Sequence, residues 1–508
     1  MAGMNLQLDR SRPVPLARQI EEQIERLIQE RLLAPGVKLP ATRELAGTLG
    51  VNRATVALAY EELVAAGLAR AHVGQGTFVT GRPQGPAPTP ARAASIDWSG
   101  LFSRSAQIIG ADEERRRVAG VPPALDGDVV SFAGGMPDSG LFPTDAFRRV
   151  LNGVIRDEGQ SLLQYYPVGG YPPLRRYLSA YLLRTGIEAR PEEILIVNGS
   201  QQGFDLIART LIDPGDPIAI EQPTYPRAMQ VFRSFGAQLL AVPWDDQGPR
   251  AEVLERLLER HAPKLFYCQP NAHNPTGRAI TREAGRRVLA AAARHQVPIV
   301  EDGFDGSLYY GSRPAAPLKA GDRDGVVIYI GTFSKILFPG LRLGWIVAPA
   351  AIHERLQSAK QLADLHTSAL IQAAVYRFCE RRLLDRHVAR VAREYGRRRD
   401  LVLAALGRRM AEGATWTEPC GGFSLLLTLP SGLSATALLP GAIERGVAFT
   451  PGESFFVDGT GERTLRLSFS SVPANRIDEG IRRLGETIRG ALRRPGGRRA
   501  VGIPVPVV

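Results

Sequence analysis

Lysine is scarce in this chain. Only Lys38, Lys264, Lys319, Lys335 and Lys360 occur among 63 basic residues, so a lysine in a chemical setting stands out. Lys335 has such a setting. In GTFSKILFPGLRLGW it sits beside Thr332 and Ser334, with Arg342 seven residues on. An amine among hydroxyls and a guanidinium suits a covalent imine to a phosphorylated aldehyde: the lysine takes the carbonyl carbon, and its neighbours hold the phosphate. Asp302 ends the very apolar run PIVED, where a carboxylate needs a partner to offset its burial. A protonated ring nitrogen would be one. In EILIVNGSQQGFDLIARTLI an apolar run meets a Gly-Ser turn, and a helix is predicted from near Ser200, whose N–H groups and dipole would favour a phosphate. That corner alone is a weak signal, and a lone Lys335 would read equally well as a surface residue. Together the three carry weight.

The elements that position these residues are legible as a pattern. EILIV, PIAIE, KLFYCQP, PIVED and GVVIYIG are apolar runs separated by helix-length segments. That alternation predicts an α/β sheet with helices on both faces and a ligand at the strand ends.

The chain has 508 residues, 44% of them hydrophobic and 22% charged, which implies more than one folded unit and argues against wholesale disorder. Its net charge is +12 and its pI near 9.9. A basic balance favours an anionic partner such as nucleic acid, although the dominance of arginine over lysine is equally what a biased coding composition would produce. Cys268, Cys379 and Cys420 are too few and scattered for a disulfide framework or a zinc site. The N-terminus lacks the apolar core of a secretory signal, and no run of about 20 apolar residues is long enough to span a membrane. The expected compartment is a reducing cytoplasm. GRPQGPAPTPARAAS, rich in proline, reads as a linker. The expected division is a small module over 1–80, a linker over 81–128 that includes the charged run Asp112 to Arg117, a large domain over 129–494 and a flexible tail over 495–508.

In the small module Ile20, Ile24, Leu27 and Ile28 recur at helical spacing, and Pro35-Gly36 ends that helix. Thr42 is the expected cap of a second helix with Leu45, Ala46 and Leu49 inward, closed by Gly50. Asn52 is the expected cap of a third, with Val56, Tyr60 and Leu63 on one face. Two helices joined by a glycine-containing turn form a helix-turn-helix, and LARAHVGQGTFVTG reads as a hairpin that would make a wing. The module has ten basic residues and eight acids. Four of those acids, Glu21, Glu22, Glu25 and Glu30, lie on the first helix and leave the reading surface more basic. A docking module for another protein would look similar in outline.

LPATRELAGTLGVNRATVALAYEELVAAGLARAHVGQGTFV resembles the DNA-binding domain of the GntR family of bacterial regulators. The resemblance implies that Arg43, Arg53, Thr55 and Gly76 lie at double-stranded DNA. EQPTYPRA, QPNAHNPTG, GTFSKILFPGLRLGW and TLRLSFS resemble the fold-type I pyridoxal-phosphate enzymes of the aspartate aminotransferase superfamily, from about residue 130 to 490. That resemblance implies pyridoxal 5'-phosphate as cofactor, bound as an imine to Lys335. Asp302 would pair with its ring nitrogen, Asn274 with its phenolic oxygen, and Tyr225 would stack on the ring. Ser200, Gln201, Thr332, Ser334 and Arg342 would surround the phosphate. Tyr165 would be lent by a neighbouring subunit, and Arg466 would clamp the α-carboxylate of an amino acid. One departure stands out. Two residues after the aspartate such enzymes usually carry a tyrosine, and here Phe304 stands in its place. A lost donor to the phenolate should raise the pKa of the imine and handicap transamination at neutral pH. Asp305 and Tyr309 are the candidate substitutes.

The combination resembles the MocR/GabR type of bacterial regulators. The implied fold is an N-terminal winged helix-turn-helix (α+β) followed by an α/β fold-type I aminotransferase-like domain with a small C-terminal α+β subdomain. The implied function is a cytoplasmic homodimeric transcription regulator. An amino acid or amine effector, or pyridoxal phosphate itself, would alter its DNA binding through exchange at Lys335. The alternative is a working aminotransferase for an α-amino acid, with the winged helix accessory.

Overall fold

The computed structural model describes residues 4, 6–11, 14–30, 32–72, 75–80, 98–119, 128–303, 308–311 and 316–493. The chain divides into two compact units, Met1–Leu101 and Phe102–Val508.

The first unit holds helices α1 (Leu16–Gln29), α2 (Thr42–Leu49) and α3 (Arg53–Ala65), the hairpin β1 (Ala69–His72) and β2 (Gly76–Val79), and a short α4 (Trp98–Leu101). Ile20, Ile24, Leu45, Ala46, Val56, Tyr60, Leu63 and Val79 are its buried core, so the helical faces read from periodicity are the ones that pack. Gly50 ends α2 in the left-handed region at φ 60°, a conformation glycine adopts without strain. Asn52 caps α3 by accepting the amide of Ala54 at 2.9 Å. Thr42 is not the cap expected of it. It lies inside the first turn of α2, Ala41 occupies the cap position, and the Thr42 hydroxyl accepts from Arg53 Nε at 3.3 Å.

The second unit begins with α5 (Arg104–Ala119), a helix in the stretch expected to be linker; its second half covers the charged run Asp112 to Arg117. The rest of the expected linker, 81–97 and 120–127, and the expected tail 495–508 lie outside the described residues. Next come β3 (Val130–Ser131), α6 (Thr144–Leu162), α7 (Pro172–Leu183), β4 (Ile194–Val197), α8 (Ser200–Leu211), β5 (Pro217–Gln222), α9 (Pro226–Ser234) and β6 (Gln238–Pro243). After these follow α10 (Ala251–His261), β7 (Phe266–Cys268), α11 (Arg282–His295), β8 (Ile299–Asp302), α12 (Leu318–Gly321), β9 (Val327–Thr332) and β10 (Gly344–Val347). Helices α13 (Ala350–Asp364), α14 (Ala369–Glu380) and α15 (Leu383–Arg409) lead to a C-terminal part. It contains β11 (Thr415–Trp416), β12 (Ser424–Thr428), α16 (Ala435–Glu444), β13 (Val447–Ala448), β14 (Thr450–Pro451), β15 (Thr464–Ser468) and α17 (Ile477–Leu492).

Seven strands form one sheet in the order β4-β10-β9-β8-β7-β5-β6, parallel except for β10, which runs antiparallel to both its neighbours. Strands β11, β12, β15 and β14 make a second, antiparallel sheet, the small C-terminal subdomain. The strand period of two decides which side chains reach the ligand face. Tyr267 and Val300 pack into the same apolar cluster as Phe204 and Phe232 of α8 and α9, whereas Phe266, Cys268 and Ile299 pack with Leu254 and Val288 of α10 and α11. Hence Asp302 shares the α8 side with Val300, and Glu301 faces the other way. There Glu301 accepts the amides of Leu318 and Lys319 at 3.0 and 2.7 Å, at the start of α12.

Replacement of Asn52 by alanine removes the one side-chain cap of α3 and should cost the N-terminal unit about 1 kcal/mol. Calorimetry of the full chain, following the transition of that unit, checks this.

Candidate cofactor site

A cavity of about 500 Å³ opens at the strand ends, and Ser200, Gln201, Tyr225, Asn274, Asp302, Thr332, Ser334, Lys335, Arg342 and Arg466 all line it. Tyr165 does not. It is 80% exposed and packs edge-on against His366.

The phosphate end is built from the turn between β4 and α8. Gly199 has φ 78°, and a Cβ there would stand 2.8 Å from Arg342 Nη2, so only glycine lets the guanidinium close on the turn. Arg342 Nη2 donates to the Asn198 carbonyl at 3.1 Å. The Thr332 hydroxyl donates to Ser334 Oγ at 2.9 Å and accepts the Ser334 amide. Behind the turn lies a brace that sequence reasoning missed. Lys360, fully buried on α13, donates to both Asp364 oxygens at 2.8 Å, to Gln202 at 3.2 Å and to Thr367 at 3.0 Å. Asn198 and Gln202 donate to the same Asp364 carboxylate, which pins the turn from below.

At the other end Asp302 is buried. Its Oδ2 accepts from the Tyr267 hydroxyl at 2.9 Å and from Gln269 Nε2 at 2.7 Å, while its Oδ1 has no hydrogen-bond partner. Burial pushes its pKa up to about 6, against the pull of the Gln269 and Tyr267 hydrogen bonds. A half-satisfied carboxylate facing a cavity is the partner that a protonated ring nitrogen lacks, so the residues fit the pyridine ring of pyridoxal phosphate. Tyr225, whose hydroxyl burial and the nearby Asp302 push up to about 12, stays neutral.

Two cations complete the cavity. Lys335 Nζ donates to the Gly135 carbonyl at 2.8 Å and lies 5.8 Å from the centre of the Phe423 ring. Arg466, on β15, donates to the carbonyls of Ala133 and Gly134 at 3.0 and 2.8 Å, to Thr450 and to Asn274 Oδ1 at 3.3 Å each. Its Nε has no partner, no carboxylate among the described residues pairs with it, and burial pulls its pKa down to about 10. A buried guanidinium without a counter-ion is a receptor for a carboxylate. Both cations are tied to one stretch, Ala133–Gly135, immediately after β3.

Phe304 and Asp305 lie outside the described residues. Tyr309 is described and lines a different cavity, so it is no substitute for the missing phenol at the cofactor. The first unit presents Arg43 and Arg53 exposed and Thr55 half-buried on the first turn of α3. Gly76 opens β2 at φ 113°, with the Lys38 side chain lying across it. Sequence reasoning did not single out Lys38 for that position.

This geometry defines a pyridoxal-phosphate fold joined to a winged helix. Residues 130–484 match the family model for aminotransferase class I and II, and residues 16–79 match that for bacterial regulatory proteins of the gntR family. The chain belongs to the aminotransferase class I and II family and, with its gntR-family unit, to the regulators of the MocR type. It is 37% identical to aromatic-amino-acid aminotransferase 1 of Thermococcus litoralis, over 79% of this chain and 97% of that one. It is 30% identical to the probable rhizopine catabolism regulatory protein MocR of Rhizobium meliloti, over 94% of this chain and 95% of that one. The crystal structure of the α-aminoadipate aminotransferase LysN from Thermus thermophilus, complexed with N-(5'-phosphopyridoxyl)-L-leucine, superposes with a TM-score of 0.72. The two are 37% identical, over 78% of this chain and all of that one.

The raised pKa of Asp302 gives a signed prediction. Without cofactor, Asp302 still binds a proton between about pH 4 and 6, where the unfolded chain has released it, so stability falls as pH rises through that window. Asp302→Asn should flatten this part of the slope. The fall that continues toward pH 7 belongs to Glu301, which burial raises to about 7. Denaturant midpoints of the cofactor-free protein and the variant across this range provide the check.

Proposed function

We propose that this chain is a DNA-binding transcription regulator whose large unit holds pyridoxal phosphate and reads an amino acid or amine effector. The observation that carries the reading is Arg466: a buried cation without a counter-ion, in one cavity with Lys335, in a chain whose other unit matches gntR regulators. Ser200, Gln201, Thr332 and Ser334 would hydrogen-bond the phosphate and Arg342 would offset its charge, Asp302 would hold the proton on the ring nitrogen, and Asn274 and Tyr225 would fix the ring. When bound, the cofactor supplies an aldehyde carbon that either Lys335 or an effector amine can occupy. Lys335 then keeps or loses its place beside Gly135, and Arg466 orients the effector carboxylate. Arg43, Arg53, Thr55 and Gly76 meet double-stranded DNA. The exposed Tyr165 completes the phosphate site of a second copy in a homodimer. No helix among the described residues is long and apolar enough to cross a membrane, and the proposed compartment is the cytoplasm.

A route for the signal is available. Helix α9 contributes Pro226, Arg227 and Gln230 to the cavity, and α5 packs against it. The covalent path from the DNA-reading unit enters the large unit through α5. An effector acts only by its differential affinity for the states that hold this path differently.

The test is a mobility-shift assay on the DNA upstream of the gene for this protein, with and without pyridoxal phosphate, then with a panel of amino acids and amines. DNA retention should depend on the cofactor and change with one effector. Lys335→Ala should abolish both the imine absorbance and the response. Arg466→Ala should keep the absorbance and weaken an α-carboxylate effector by about a hundredfold, the cost of losing a charge-assisted pair. A complex indifferent to cofactor and effector, or rapid multiple turnover with a keto acid, would overturn the reading.

A further inference from the structure

Asp302 and Asn274, the residues proposed to meet the ring nitrogen and the phenolic oxygen of the cofactor, are joined through one side chain. Gln269 follows β7 and is 1% exposed. Its Nε2 donates to Asp302 Oδ2 at 2.7 Å, and its Oε1 accepts the backbone amide of Asn274 at 3.1 Å. A primary amide suits this place because it donates at one end and accepts at the other; a carboxylate would accept at both, against Asp302. The loop 269–274 is held from behind at both ends. Glu221, fully buried on β5, accepts the Gln269 backbone amide at 2.8 Å with one oxygen and Trp244 Nε1–H at 2.9 Å with the other. His273, also fully buried, stacks on Trp244 with ring centres 4.1 Å apart, and its Nε2 lies 3.0 Å from the Pro223 carbonyl oxygen. Between them Ala272 stands at φ 49°, a left-handed conformation that costs an alanine energy and persists where its surroundings impose it. The loop is thus fixed from the protein side, and Gln269 carries that fixity to Asp302.

We propose that Gln269 is a positioning residue for the cofactor: it aims Asp302 at the ring nitrogen and sets the distance from there to Asn274 at the phenolic oxygen. The inference rests on pyridoxal phosphate occupying this cavity as proposed above, and not on what the DNA-reading unit does. By donating to Oδ2, the amide stabilises the charged form of Asp302, and it is the largest pull against the rise that burial imposes. Among the described residues, the other charged or titratable groups around Asp302 are Tyr267 on β7, Glu221 on β5, Tyr225 ahead of α9 and Lys335 after β9. The Tyr267 hydroxyl and Lys335 favour the carboxylate, and Glu221 opposes it. Asn274 Oδ1 in turn accepts from Arg466 at 3.3 Å, so a carboxylate that draws Arg466 away is felt by the same loop.

The test titrates pyridoxal phosphate into the full chain and follows its uptake by absorbance, between about pH 6 and about pH 8.5, a range that spans the loss of one buried carboxyl proton. Gln269→Leu should weaken uptake by about tenfold or more throughout, as for a lost hydrogen bond to a charged group. Gln269→Glu separates positioning from packing. Burial and the nearby Asp302 charge keep a carboxyl there protonated at the lower pH, where it donates and accepts as the amide does. That variant should match the wild type within about twofold near pH 6 and fall behind it by about tenfold for each pH unit once its proton is lost. A side chain that only filled space would give no gap that changes with pH. Should Gln269→Leu fail to fold, Gln269→Glu alone decides. Uptake by Gln269→Leu within about twofold of the wild type, less than one such hydrogen bond contributes, would overturn the inference while leaving the cofactor site in place. So would a difference between Gln269→Glu and the wild type that is the same at every pH. A wild type that takes up no pyridoxal phosphate would overturn the site and the inference together.

Discussion

The structure depends on a carboxylate buried where it is only half satisfied. Asp302 ends a strand whose other residues, Ile299, Val300 and Glu301, are also buried, and among the described residues only Tyr267 and Gln269 hydrogen-bond to it. Both partners come from the neighbouring parallel strand β7 and the residue just beyond it, so the register of β7 against β8 sets the distance. A shift by one residue would turn Asp302 toward α10 and α11 and bring Glu301 to the cavity. The two adjacent acids are therefore not redundant. Glu301 is satisfied by amides at the start of α12, whereas Asp302 keeps one oxygen for a ligand.

Much of this was legible because the chemistry is concentrated in short motifs at strand ends. The apolar runs ending at Val197, Asp302 and Thr332 became adjacent or near-adjacent strands, and the Gly-Ser turn became the start of α8. What escaped is equally physical. Lys360 and Asp364 stand four apart on a helix, the spacing of an ordinary surface pair, and only tertiary packing buries the lysine beneath the phosphate turn. Strand β10 hides inside the motif that follows Lys335, since nothing local distinguishes an antiparallel insertion from a loop. Helix α5 lies in a charged stretch with no apolar periodicity to announce it. Thr42 has the right residue type for a cap, but the chain enters α2 one residue earlier than expected, and its hydroxyl serves Arg53 instead.

Two of the four cations that line the cavity, Lys335 and Arg466, are tethered to one stretch of backbone. Lys335 lies in the turn after β9 and Arg466 on β15 of the other sheet, yet both donate to the backbone of Ala133–Gly135. These contacts are neutral: each cation has carbonyls where a carboxylate or an imine carbon would bind more strongly. A ligand that takes both cations therefore competes with the same three residues for both. Their neighbours are held on both sides: after them Ser470 Oγ donates to the Met136 carbonyl and Arg398 to the Asp138 carboxylate, each at 2.7 Å. Strand β3 just before them pairs with β13 through Val130 and Val447, and Asp128 is fixed to Arg476 and Arg483 at the point where the described chain resumes. Loss of the Lys335 and Arg466 contacts would leave this stretch held by Thr450, which donates to the Ala133 carbonyl, by Ser470, which donates to that of Met136, and by the exposed Asp128 ion pairs. Exposed ion pairs of that kind contribute little on their own. The hold on this stretch is therefore shared: a ligand that engages Lys335 and Arg466 removes their part and leaves the Thr450 and Ser470 hydrogen bonds in place.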